Sequence, residues 1–438
     1  MVRGALLLLA VLLSGCASDA LDAEALLDPS SCATCHPTHF AQWSGSMHAY
    51  TGVDPVFAAM NEVYLADTGD RDRDYCVSCH SPMAVREGED LATAPAHLKG
   101  VTCVACHLVE EVTLDHNAGQ VLADDGVLRG GIADPVRTTA HASKYSLLHD
   151  RNDPASSSLC GPCHCVFTPD GIHVERTFHE WRETVFASND LTRLTCSRCH
   201  MRGTDGPVAV GPGMPDRRRH DHSWPGVDVA LIDFPGRDEQ RVKIQAELDD
   251  SLYARLCVEP GPAGVEVVVR LENVAGGHSF PSGSAVDRRV WVEIRAFDGD
   301  TEIFSSGIVE EGQAVTANGD PTTWLIRDQH KDAEGEPVLW SWQAVQVQSN
   351  LLEAPVTLDP TDPAYLHFQE RRLPIYTGIP DRVTMRVRMR ATALEVFDEL
   401  AARTDLDPDL ALEQPTFDLG RTVLEWTGGL DGLGTCVD

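Results

Sequence analysis

Between residues 32 and 200 one five-residue pattern recurs: CATCH from Cys32, CVSCH from Cys76, CVACH from Cys103, CGPCH from Cys160 and CSRCH from Cys196. Each copy holds two thiols three positions apart and a histidine directly behind the second. That spacing lets two cysteines add to the vinyl groups of a haem while the histidine reaches its iron from the same side. The attachment cysteines are then Cys32 and Cys35, Cys76 and Cys79, Cys103 and Cys106, Cys160 and Cys163, and Cys196 and Cys199. The proximal iron ligands are His36, His80, His107, His164 and His200. Structural zinc sites draw cysteine pairs together, usually two pairs to one ion, whereas here the number of pairs is odd and each has its own histidine. Disulfides suit an exported chain but would not require a histidine behind every pair. The pattern therefore predicts five covalently bound c-type haems.

That density constrains the fold. A stretch so crowded with porphyrins cannot also build a large side-chain core, so haem must supply most of its buried apolar surface, with short helices packed against it. Helical spacing in PVFAAMNEVYLAD, where Val56, Met60 and Val63 recur, and in FHEWRETVF marks two such pieces. From about residue 240 the period changes to two. VEVVVRLENV, RRVWVEIRAFDGDTEIF and RVTMRVRMRA read as strands, the last with Val383, Met385, Val387 and Met389 on one face and arginines on the other. The Asp-Gly pair in FDGDTE signals a hairpin, and EVFDELAARTDLD reads as a short helix or a connecting loop. The fold class expected is α+β: a haem-packed, mostly helix-and-loop multihaem cytochrome domain over 32–225, followed by an antiparallel β-sandwich domain over 226–438.

The opening MVRGALLLLAVLLSGC carries Arg3, an apolar run and small residues before Cys16, as an export signal does. LSGC also resembles a bacterial lipobox, which would make 1–15 a lipoprotein signal peptide, 16–31 a tether and Cys16 a lipidated anchor; an ordinary signal peptide is the other reading. The chain is expected to be a periplasmic or cell-surface lipoprotein. With 35 basic against 67 acidic side chains, its formal charge is −32 with histidine neutral. Such a surface repels nucleic acid and suits redox partner proteins with a basic docking face. Three cysteines stand outside the motifs and Cys16. Cys257 and Cys436 flank the β domain and either close it with a disulfide or stay free and buried; Cys165, directly behind His164, reads as a bystander.

Longer stretches carry a resemblance. CATCHPTHFAQWSGSMHAY, CVSCHSPMA, GVTCVACH, LCGPCH and HEWRETVFASNDLTRLTCSRCHM are similar to multihaem c-type cytochromes related to the tetrahaem electron carrier of ammonia-oxidising bacteria. RHDHSWPGVDVAL and NVAGGHSFPSGSAVDRRVWVEIRAFD look like the linker and β domain of larger members. The resemblance implies electron transfer, with enzymes among the relatives, and it implies distal ligands. His48 falls where the family pattern W-x-x-S-x-H-A places one. His141 matches a family position ahead of the fourth motif and is preferred to His149. His222 resembles the histidine before Pro-Gly, with His220 its competitor. His97 and His116 flank the third motif, and His97 is the one taken. His278 lies in a Gly- and Pro-rich loop that the resemblance places beside the last haems; it is either a ligand reaching back or a loop histidine of the β domain. Mainly bis-histidine ligation follows, which lowers potential relative to His/Met haems.

The function expected is electron transfer through closely spaced haems. The alternative is a reductase or oxidase of a small nitrogen or sulfur compound at one open-site haem. Pentahaem nitrite reductases hold their catalytic haem through C-x-x-C-K, and every motif here ends in histidine, which counts against that particular enzyme.

Overall fold

The computed structural model of this chain describes residues 20–69, 71–262 and 264–438. The expected signal peptide, Cys16 and the first residues of the expected tether lie outside the described residues.

The first half is built from short helices and turns. Its longest helix, Pro55–Thr68, has both ends written in the sequence. The Asp54 side chain caps it by accepting from Val56 N at 2.9 Å, Pro55 occupies the first turn, and Gly69 ends it in the left-handed region at φ 66°. Between the helices lie small ribbons that the sequence pattern did not announce. They pair Val109–Val112 with Gln120–Leu122, Val166–Phe167 with His173–Glu175, and Gly203–Pro207 with Asp216–His220, all antiparallel. Val127–Gly130 pairs with Ala142–Tyr145 in parallel.

The second half is a sandwich of antiparallel sheets. One sheet has the order Gln369–Ile375, Gly264–Glu272, Tyr253–Gly261, Thr435–Val437. The other centres on Arg289–Asp298 paired with Arg382–Arg390, flanked by Thr301–Ser306 and Trp324–Ile326 on one side and by Phe417–Asp418 and Leu424–Thr427 on the other. Val383, Met385, Val387 and Met389 are buried together with Val265, Val267, Val269 and Leu271 of the facing sheet. The expected hairpin turns at Gly299, which takes φ 57°. Helix Arg237–Ser251 covers this core with Ile244 and Leu248, four positions apart on one face.

Cys257 and Cys436 form a disulfide between paired positions of neighbouring strands. EVFDELAAR forms the helix Leu394–Arg403, which packs Val396, Phe397 and Leu400 against Ala59 and Val63 of Pro55–Thr68. Arg403 pairs with Asp67 at the same contact, and Trp342 Nε1 donates to Asp67 at 3.1 Å. The β half is thus seated on the first half through a shared apolar cluster. Among the described residues no helix is long and apolar enough to cross a membrane.

Candidate functional site

Each motif closes a helical turn. The amide of His36, His80 or His164 donates to the carbonyl of Cys32, Cys76 or Cys160 at 2.8, 3.2 and 3.0 Å, and the last two residues of CVACH and CSRCH end the helices Cys103–His107 and Cys196–His200. In such a turn, positions one, four and five share a face. All ten motif cysteines and all five motif histidines line one chamber of ≈ 2320 Å³. A pocket for one drug-sized ligand holds roughly 300–1,000 Å³, so this space is of the size needed for several large groups.

The motif histidines are oriented from behind. Nδ1 of His36, His107 and His200 bonds the carbonyls of Val208, Arg129 and Pro225 at 2.7, 2.6 and 2.9 Å. His80 Nδ1 bonds Thr51 Oγ1 at 2.6 Å, and His164 Nδ1 faces the Glu175 carboxylate at 3.6 Å. Occupying Nδ1 in this way fixes the ring and leaves Nε2 to ligate a metal.

Opposite four of the five stands a second histidine. Ring centres are 6.2 Å apart for His36 and His141, 6.3 Å for His164 and His48, 6.4 Å for His107 and His222, and 6.4 Å for His200 and His278. Metal–imidazole nitrogen bonds are about 2 Å long, so two rings sharing one ion have centres roughly 6 Å apart. His278 and His222 give their Nδ1 to the carbonyls of Ser279 and His220, both at 2.9 Å, which again leaves Nε2 forward. Burial lowers the pKa of His36, His80, His107, His200 and His278, and takes His48 and His222 to about 3. Neutral imidazoles are the form that donates to iron. For His164 burial opposes the charge, but Glu175 outweighs it and the pKa is raised.

The His278 loop is shaped before it reaches the chamber. Asn273, fully buried, donates from Nδ2 to the carbonyls of His278 and Leu352 at 2.7 and 3.0 Å and accepts from Gly276 N at 3.1 Å. A Cβ on Gly276 would stand 2.5 Å from Asn273 Oδ1, so glycine is required there. The loop also meets the helix Thr177–Glu183: Ser282 Oγ donates to Glu180 at 2.7 Å, and Gly283 N donates to Thr177 Oγ1 at 3.0 Å.

His97 is the candidate that the fold leaves out. It sits in the 3-10 turn Ala96–Leu98, anchored by Leu98 in a cluster with Met83 and Val104, and it does not line the chamber. Closeness to the third motif in sequence did not become closeness to an iron position. His149 does face His107, at 5.6 Å, but its Nε2 is spent on the Cys106 carbonyl at 3.0 Å. His80 alone among the motif histidines has no histidine ring opposite it among the described residues; Phe57 stacks on it at 4.0 Å.

Residues 31–108 match the family model described as cytochrome c554 and c-prime. A solved structure, that of a penta-heme cytochrome c552 from Thermochromatium tepidum, superposes with a TM-score of 0.65 at 19% identity, covering 92% of this chain and 99% of that one. The fold is that of a multihaem c-type cytochrome. No curated protein matches the sequence. The cytochrome segment matched by the family model contains the first three motifs, and the likeness in fold extends through the β half.

Within this cytochrome fold, three residues that the sequence did not single out shape the site. Trp224 lies between His48 and His222, at 4.6 and 5.1 Å, with φ 39°. A bulky residue seldom takes that conformation. Glu175 and Phe57 back His164 and His80. None of the three carries a sequence signal, because each acts through a contact made only on folding. His330, fully buried on the chamber wall, has neither ring nitrogen hydrogen-bonded.

Proposed function

We propose that this chain is an exported pentahaem c-type cytochrome that carries electrons through mainly bis-histidine haems. The observation that carries this reading is the common separation of the four facing histidine pairs, 6.2–6.4 Å, around one chamber. When bound, haem supplies reversible one-electron chemistry at its iron. The chain supplies attachment, axial imidazoles and proximity. His36 and His141, His164 and His48, His107 and His222, and His200 and His278 would each hold one iron between them.

Thiol contacts support a sequence for the relay. Cys32 lies beside Cys103, Cys79 beside Cys163 and Cys160 beside Cys196, with Cys106 near Cys160 and Cys163. The motifs therefore adjoin in the order one, three, four, five, with the second branching from the fourth. Lipid on Cys16 would tether the carrier to a membrane surface. Its net charge of −32 favours a basic partner, with docking that weakens as salt rises.

A second reading rests on His80, opposite which no histidine ring stands among the described residues. An open position at the second motif would let the protein act on a small nitrogen or sulfur compound. Haem quantitation with electron paramagnetic resonance of the ferric protein tests both. Five haems per chain, with at least four low-spin bis-histidine signals, is the expected result; fewer than four would overturn the pairing. A residual high-spin signal that shifts on adding nitrite or hydroxylamine, with turnover, would favour the enzyme. Complete low-spin character would leave the carrier.

A further inference from the structure

Behind the fourth motif, on the side away from the chamber, three ligand-type residues converge. The Cys165 thiol, His173 and His179 offer donor atoms that all lie within 4.8 Å of one another. None of the three lines the chamber, so none competes for a haem position. We propose that Cys165, His173 and His179 bind one zinc or copper ion.

The framework is fixed without the ion. Cys165 is fully buried, and its Sγ lies 3.2 Å from His173 Nε2. The His173 ring stacks on Phe167 at 4.0 Å and meets the His179 ring edge-on at 4.8 Å. Asn117 brackets the ribbon, accepting from Phe167 N and donating to its carbonyl, both at 2.8 Å. A thiol-to-imidazole hydrogen bond would by itself account for Cys165 and His173. It leaves His179 Nε2, which is buried and has no hydrogen-bond partner. The Asp115 carboxylate is 3.6 Å from that atom and is already held by Arg182 at 2.7 Å and by His116 at 3.2 Å.

One thiolate and two imidazoles form a soft-to-borderline donor set. Calcium and magnesium, which demand oxygen ligands, do not fit it, whereas zinc and copper do. A fourth position faces Asp115 or a water molecule, as in zinc sites with three protein ligands. Binding converts the Cys165 thiol to a thiolate and releases its proton to solvent. The ion would lock the ribbon Val166–Phe167/His173–Glu175 to the helix Thr177–Glu183.

The test is elemental analysis of the haem-loaded protein, washed with chelator, titrated with Zn²⁺ or Cu²⁺ and freed of unbound ion by gel filtration. One zinc or copper per chain beyond the iron is expected, copper being distinguished by its paramagnetic signal. His173→Ala and Cys165→Ser should each lower bound metal at least tenfold at the same free concentration while haem content stays unchanged. Because Cys165 adjoins His164, the His173 variant separates loss of the ion from disturbance of a haem. Failure of the unmodified protein to retain either ion, or equal retention by His173→Ala, would overturn the proposal.

Discussion

Replacing His278 with alanine removes the imidazole that faces His200 at 6.4 Å while leaving all five motifs intact. One low-spin signal should convert to high spin with haem content unchanged, as read by paramagnetic resonance and pyridine haemochrome. An unaltered spectrum would return His278 to the role of a loop residue. Glu175 acts one shell further out. Its carboxylate, 3.6 Å from His164 Nδ1, makes that imidazole a more basic ligand and favours the oxidised iron. Glu175→Gln should therefore raise one midpoint potential, by about 60 mV for each tenfold loss of that preference. At this scale the sequence was informative where the covalent chemistry is local. The spacing C-x-x-C-H names its own ligands, since a single helical turn suffices to build it. The ring facing each of four motif histidines lies tens to more than a hundred positions away, as with His36 and His141, and only the folded chain decides which faces which. His97 illustrates the failure: adjacency to a motif says nothing of which way the chain then turns.

Between elements, the helix Thr177–Glu183 and the His278 loop form a latch whose strength depends on protonation. Burial pushes the Glu180 carboxyl up to about 7, against the opposing pull of Ser282 and Arg176. In the unfolded chain it would titrate near its ordinary ~4.3. The fold thus holds a proton that the unfolded chain releases, so this contribution is greatest below pH ~4 and declines as pH rises toward 7, changing no further above that. Glu180→Gln should flatten the pH dependence of the unfolding free energy between about pH 4 and 7, by an amount on the order of a few kcal/mol at most. A parallel slope in variant and parent would exclude the latch. The strands on either side of the loop were readable because alternation has one physical meaning: Val383, Met385, Val387 and Met389 are buried while Arg386 and Arg388 between them are only partly so, and the alternation ends at Arg390, which is buried as well. The small ribbons of the first half were not readable, being two to five residues long and organised around the chamber and not around a core of their own.

For the whole molecule, the Cys257–Cys436 disulfide spans a sequence separation of 179 and closes the four-stranded sheet. Replacing both cysteines with serine should cost about 2–5 kcal/mol, seen as a lower unfolding midpoint by circular dichroism, with the haem spectrum at room temperature unchanged. A shift confined to the haem bands would contradict the placement of this staple in the sandwich. The division into a haem half and a β half was visible in the change of period near residue 240, but the interlock was not. Nothing in EVFDELAAR announces that Phe397 and Leu400 will meet Ala59 and Val63.

The pairing of His200 with His278 also orders events in time. The fifth motif leaves the ribosome well before the strands that shape the His278 loop, and Asn273 can organise that loop only after Leu352 has arrived to accept its hydrogen bond. Maturation of the last site therefore has to wait for the β half to fold. A chain stalled before that stage would hold the fifth motif without the imidazole that faces His200.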